Sequence, residues 1–197
     1  MATSHSSDVS TKIVFLLEEK SAQLLLDSLL PRILPDGIEF QCLSHKGFQT
    51  LQKSIPKKLR RWNREWKNVR FVILHDQDDK NCEKLKSKLL QMCMKNNRPD
   101  TVVCIVCQEL EAWYCGDLNA VAGVYPKFKP QKVENSARFR NPDNIVKPSK
   151  ALKDIIPEFL KGGTAETIGQ HMDLNNNKSK SFQHFVKKVR EMVELSP

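Results

Sequence analysis

The chain is short of glycine, with 7 in 197 residues, and shorter still of tyrosine, with 2. So little glycine beside ten prolines excludes collagen-like and low-complexity architectures. No apolar run approaches the ~18 residues of a membrane span, and mean hydropathy is −0.48. Residues 1–10 lack the apolar stretch of a secretory signal and are expected to form a loose polar tail. The phosphate loop GxxxxGK[ST] is absent, which excludes a P-loop ATPase. Zinc-ligand spacing is missing too. Cys104-Ile-Val-Cys107 lies in a run of β-formers, and on a strand residues three apart face opposite sides. The six cysteines (Cys42, Cys82, Cys93, Cys104, Cys107 and Cys115) therefore read as reduced, mostly buried thiols of a cytoplasmic protein. There is no internal repeat.

What the chain does have is enough apolar residues for a core, at 40%, and an excess of positive charge. Lys and Arg number 32 against 23 Asp and Glu, for a formal charge of +9. A basic balance of this size favours polyanionic partners such as nucleic acid.

Ile13-Val-Phe-Leu-Leu17 is a continuous apolar run of strand length. Leucines from Leu24 to Leu34 follow at helical spacing, and Pro35-Asp-Gly37 is a turn. Ile38, Phe40 and Cys42 alternate with polar residues as a half-buried strand. Residues 51–66 read as a basic helix with a break at Pro56. Phe71-Val-Ile-Leu74 is a third strand. Cys82, Leu85, Leu89 and Cys93 mark one face of a helix whose wet side carries lysines. Thr101-Val-Val-Cys-Ile-Val106 is a fourth strand. This β-α-β-α-β-α-β order predicts an α/β fold, a Rossmann-like four-stranded parallel sheet flanked by helices over residues 11–115. Residues 116–197 are expected as a C-terminal extension, loop-like over 116–150 with helices at 151–161 and 181–194. Phe182 and Phe185 are expected to dock the last helix, Trp62 and Trp66 to pack on the sheet, and His171 to be structural.

Acids follow three of the strands: Glu18 and Glu19 after the first, Asp76, Asp78 and Asp79 after the third, Glu109 and Glu111 after the fourth. In an open parallel sheet these carboxyl ends line the site. Asp76 and Asp78 are two apart, as are Glu109 and Glu111, so extended backbone would point each pair one way. Helix N-capping explains one acid after the third strand, but not three matched by acids elsewhere. Clustered carboxylates repel, and oxygen-only ligands in this number fit Mg²⁺ or Mn²⁺.

A parallel sheet with Glu after its first strand and Asp-x-Asp after its third resembles the Toprim domain of type IA topoisomerases, bacterial primases and overcoming-lysogenisation-defect nucleases. The wider set of blocks is similar to one bacterial, Toprim-like family, domain of unknown function 4276. These blocks are Leu17-Glu-Glu-Lys-Ser21, Leu29-Leu-Pro-Arg-Ile-Leu34, Lys53-Ser-Ile-Pro-Lys-Lys-Leu59, Asp76-Gln-Asp78, Glu109-Leu-Glu-Ala-Trp113 and the segment from His171 to Phe182. The resemblance implies metal-dependent phosphoryl chemistry. Glu18 would be base or ligand, Asp76 and Asp78 would hold Mg²⁺ (or Mn²⁺), and Glu109 or Glu111 would complete a second ion site. Many Toprim domains have Gly after the catalytic Glu, where this chain has Glu19. A topoisomerase needs a nucleophilic Tyr on a separate domain, and only Tyr114 and Tyr125 exist here. A dehalogenase-like phosphatase would carry Asp-x-Asp after its first strand.

Three segments are strongly basic. Residues 53–67 include Lys57, Lys58, Arg60, Arg61 and Arg64 against one acid, Glu65. Residues 127–150 include Arg138 and Arg140, and residues 178–190 include Lys178 and Lys180. An acidic site ringed by such segments suits phosphate-backbone binding, although each patch alone also fits a solvated helix face. The expectation is a Mg²⁺-dependent Toprim-like nuclease acting on DNA or RNA. By analogy it works in bacterial anti-phage defence with an ABC- or AAA-type ATPase subunit, and it has no membrane partner. The rival expectation is a non-catalytic Toprim-like scaffold that binds nucleic acid or the ATPase without cutting.

Overall fold

Four parallel strands form one sheet: β1 (Lys12–Leu17), β2 (Glu39–Ser44), β3 (Val69–Asp76) and β4 (Val102–Val106), in the order β2-β1-β3-β4. The structure, a computed structural model, describes residues 11–65 and 68–194, except the side chains of residues 63–65. The central strands are the most apolar stretches because both their faces are covered. Ile13, Phe15 and Leu17 of β1, with Val72 and Leu74 of β3, pack on one side. Val14 and Leu16, with Phe71 and Ile73, pack on the other. Edge strand β2 is only half-buried, as its alternating sequence requires.

Helices α2 (Phe48–Glu65) and α3 (Cys82–Met94) cover the second face, where Leu51, Ile55, Leu59, Leu85 and Leu89 are buried. The expected break at Pro56 does not occur; α2 runs straight through it. Proline costs about 3 kcal/mol inside a helix, but Leu51, Ile55 and Leu59 lie on both sides of it and bury fully against the sheet. At ~1.5–3 kcal/mol each, their burial outweighs the defect. Asn81 caps α3 by accepting Lys84 N–H at 2.9 Å.

The first face carries α1 (Lys20–Ile33) and most of the later chain: α4 (Glu111–Cys115), α5 (Leu118–Val124), α6 (Pro148–Ile155), α7 (Ala165–His171) and α8 (Lys180–Glu194). One apolar core joins strands, α1 and these helices. The 116–150 stretch expected as loop contains α5 and two single 3₁₀ turns, α6 ends at Ile155 rather than 161, and α7 is additional. These helices of seven or eight residues are too short to stand alone and form by packing. Trp113 sits at their centre, its ring 5.2 Å from those of both Phe182 and Phe185, so the last helix docks as expected. Trp62 packs on the α2/α3 side; Trp66 lies outside the described residues. Cys104 is buried and Cys107 half-buried, and all six cysteines are free thiols. Among the described residues no helix is long and apolar enough to cross a membrane.

Candidate functional site

From β1 the chain goes to β2 on one side, and the next strand, β3, lies on the other. The point where such crossovers part, outside the carboxyl ends of β1 and β3, is where open α/β sheets bind ligands. Leu17 is level with Leu74, and β3 continues to Asp76, so Glu18 comes alongside His75 and Asp76. Asp76 N–H donates to Glu18 Oε2 at 3.2 Å, and His75 Nδ1 lies 2.9 Å from the same oxygen. Glu18 and His75 are both buried.

The third member, Glu111, opens α4 after β4 and is fully buried. Among the described residues neither of its carboxylate oxygens has a hydrogen-bond partner. The nearest cation, Lys161 Nζ, is 3.9 Å away. Burial pushes the Glu111 carboxyl up to about 7; Lys161 opposes the shift, and Glu109 and Glu19 add to it. Asp76 is driven well above the usual carboxylate range by burial first, then by Glu18, Glu111, Asp78 and Glu19. The Tyr114 hydroxyl, also buried without a partner, is raised by burial and by Glu111 and Asp76. Glu18 and Glu111 thus both act on Asp76, which puts the three carboxyls within electrostatic reach at one edge of the sheet.

Asp78 and Glu109 are placed differently from the extended-chain expectation. The strand ends at Asp76, and Asp78 sits in a left-handed turn with φ 49°. Its N–H donates to the Gln108 carbonyl at 2.9 Å, and Gln108 is itself at φ 61°. The loops after β3 and β4 are zipped together, so Asp78 does not share the direction of Asp76. Its carboxylate takes an ion pair from Lys80 at 2.8 Å, and that ammonium also lies 4.6 Å above the Phe48 ring. Glu109 accepts Ser149 N–H at 2.9 Å and so caps α6. Among the described residues no three Asp, Glu, His or Cys side chains close round one point in ligating geometry. The donors are nevertheless hard oxygens, and the unpartnered Glu111 carboxylate is the group a divalent cation would satisfy.

Lys161 was not legible as a site residue. It belongs to the loop between α6 and α7, which Gly162, at φ 83°, turns against Ser21. The only sequence signal is the Gly162-Gly163 pair, which marks a turn without saying what it approaches. Beside the acids, Lys161, Lys20 and Lys46 line an open cleft of about 540 Å³ with Glu19 and His45.

The first of the expected basic segments lies away from these acids. Helix α2 begins at the carboxyl edge, where Gly47 N–H bonds to Glu18 O, and runs back to the amino ends of the strands. Over 18 residues it spans about 27 Å. Lys57, Lys58, Arg60 and Arg61 therefore lie toward the opposite edge, where Lys12 Nζ stands 5.4 Å from the Trp62 ring. Arg64 falls outside the described side chains. Arg138 pairs with Asp154 at 2.8 Å, Lys178 Nζ donates to Glu134 O at 3.3 Å and Lys180 Nζ to Gln183 Oε1 at 3.4 Å; Arg140 is exposed.

The C-terminal block is structural. Asn177 is buried; its Nδ2 donates to Trp113 O at 2.9 Å and its Oδ1 accepts Ser179 N–H at 2.9 Å. Trp113 Nε1 donates to Ser181 Oγ at 3.0 Å, and Asp143 accepts from Ser179 Oγ at 2.6 Å. A Cβ on Gly116 would lie 2.1 Å from Asn177 Oδ1, so no other residue fits there. These bonds fix α4, and with it Glu111. His171 is exposed, packed over Gly123.

Fold and site together define a doubly wound α/β protein with an acidic centre at its topological switch point. The chain belongs to the family described as Domain of unknown function (DUF4276), which matches residues 17–190. No curated protein and no solved structure matches it.

Proposed function

We propose that the protein is a Mg²⁺- or Mn²⁺-dependent nuclease of Toprim type. The observation that supports this best is Glu111: a fully buried carboxylate with no hydrogen-bond partner among the described residues and only Lys161, at 3.9 Å, to balance its charge and that of the acids around Asp76. Glu18, Asp76 and Glu111 would hold the ion, with Asp78 at the rim. Bound there, a divalent cation supplies charge neutralisation and Lewis acidity for phosphodiester hydrolysis. Glu18 is the base that takes a proton from the attacking water, and the P–O bond to the leaving oxygen breaks. Lys161, which pairs with Glu111, and Lys80, which pairs with Asp78, would receive phosphate oxygens. The basic face of α2 would grip backbone farther along the nucleic acid. By analogy with Toprim nucleases, an ABC- or AAA-type ATPase subunit and a role in anti-phage defence accompany this reading.

The test is plasmid nicking and RNA cleavage with Mg²⁺ or Mn²⁺. The parent is expected to cut, and Asp76→Asn or Glu18→Gln to lose at least about a hundredfold in rate while still binding nucleic acid. Cleavage that survives both substitutions would remove the catalytic assignment.

A non-catalytic scaffold is the second reading. The Lys80–Asp78 pair and the use of Glu109 as a helix cap favour it, because both acids already have internal partners. A parent that binds nucleic acid, ignores both ions and cuts nothing would establish it.

A further inference from the structure

His75 is fully buried at the end of β3, where an apolar residue would pack equally well. Both its ring nitrogens are nevertheless committed. Nδ1 faces two acceptors, Glu18 Oε2 at 2.9 Å and its neighbour's carbonyl, Asp76 O, at 2.7 Å. Two acceptors require a hydrogen on Nδ1. Nε2 faces the side-chain nitrogen of Gln52 at 3.4 Å. The Gln52 amide is oriented from outside: its Oε1 accepts Lys88 Nζ at 2.9 Å, which turns the NH₂ inward. An NH₂ donor opposite Nε2 requires a lone pair there. The two ends of the ring demand the same species, neutral imidazole protonated on Nδ1.

We propose that His75 is a positioning residue for Glu18: Lys88 and Gln52 fix its tautomer, and its Nδ1–H fixes the Glu18 carboxylate at the carboxyl edge. Partners of this kind, one bond behind a metal-ligating or basic carboxylate, set its orientation, and losing one typically costs roughly ten- to a hundredfold in metal affinity or activity. The chain from surface to site crosses α3, α2, β3 and the end of β1, so it needs the α2/α3 layer and the sheet in place. The effect on metal and cleavage rests on the nuclease reading; the tautomer and the held carboxylate do not.

The experiment has two arms. In the first, the metal-free full-length protein carrying ¹⁵N-labelled histidine is examined by NMR. His75 is expected as the Nδ1–H tautomer, and Gln52→Glu, which places an acceptor opposite Nε2 while Nδ1 keeps its two, should put a hydrogen on Nε2 as well. An Nε2–H tautomer in the parent, or a His75 spectrum indifferent to Gln52→Glu, overturns the proposal. In the second arm Mn²⁺ affinity is measured by calorimetry. His75→Leu should weaken it about tenfold or more, while His75→Asn, whose amide nitrogen replaces Nδ1–H, should stay within about threefold of the parent. Equal affinity in all three overturns the proposal. If His75→Leu does not fold, Gln52→Leu, which frees the ring without touching β3, should weaken Mn²⁺ binding in the same direction. A parent that binds no Mn²⁺ ends the nuclease reading, and the NMR arm still decides the positioning.

Discussion

The two ends of the sheet are built on opposite principles. At the amino end charged groups are paired off, and the buried group left without a hydrogen-bond partner there, among the described residues, is a neutral one, the Thr101 hydroxyl. Arg98 donates to Asp100 through Nε at 2.9 Å and Nη2 at 2.8 Å, bonds the Val69 carbonyl and stacks 4.6 Å over Phe71. At the carboxyl end Glu111 has no hydrogen-bond partner among the described residues, Asp76 is crowded by four carboxylates, and Asp78 and Gln108 adopt left-handed backbone. Both ends belong to the same four strands, so the contrast is not one of fold quality. Left-handed backbone occurs at the amino end too, at Asn97, so what sets the carboxyl end apart is buried carboxylate charge that the rest of the structure sustains.

The strongest way to break this contrast is pH. An acid whose folded pKa is raised binds more protons folded than unfolded, so stability falls as pH rises from its ordinary value of 4.5 to about 7. In metal-free buffer Glu111 alone should cost on the order of 3 kcal/mol across that window. Urea unfolding at pH 5 and pH 8 measures it. Glu111→Gln should reduce the difference, leaving the part that Asp76 contributes, and saturating Mn²⁺ should offset part of it. A parent equally stable at both pH values would mean that the carboxyl end is as well satisfied as the amino end.

At the amino end a substitution should destabilise rather than relieve. Arg98→Met keeps the packing on Phe71 but loses charge-assisted hydrogen bonds, and should cost about 2 kcal/mol with little dependence on pH above 5. An unchanged denaturation midpoint would show that this end is no better secured than the other.

The smallest effect on stability belongs to the α2 surface. Lys53, Lys57 and Arg60 are exposed on one helical face. Replacing all three with Ala should move stability by no more than about 0.5 kcal/mol per site. If this face grips nucleic acid, the log–log salt slope of duplex binding should fall by about 0.9 for each phosphate that is no longer neutralised. An unchanged slope would leave the face merely solvated.

The sheet was legible because a buried parallel strand is a run of apolar residues bounded by polar ones, a signal local to a handful of positions. So was the delivery of Glu18, Asp76 and Glu111 to one edge, which follows from strand order alone. Illegible were features set by distant partners. Lys161 reaches Glu111 across 50 positions, and Asn177 reaches Trp113 across 64. Pairs two apart mislead where the strand stops: Asp76 ends β3, and Asp78 is already in the turn. The basic segment of α2 is legible as helix, and its place far from the acids follows from strand order too, because a helix between parallel strands starts at the carboxyl edge and runs back; charge alone does not carry that step.

The lock on Trp113 also sets an order in time. The side-chain bonds that hold Trp113 of α4 need Asn177 and Ser181 to be present. After Trp113 has been added, synthesis must continue for 64 more residues before Asn177 exists. At about 5–20 residues per second that is roughly 3–13 s. During this interval β1 to β4 are already made, yet the helix that carries Glu111 lacks its anchor. A nascent chain of that length therefore carries Glu18 and Asp76 on strands already made, but Glu111 on a helix that its C-terminal partners do not yet hold.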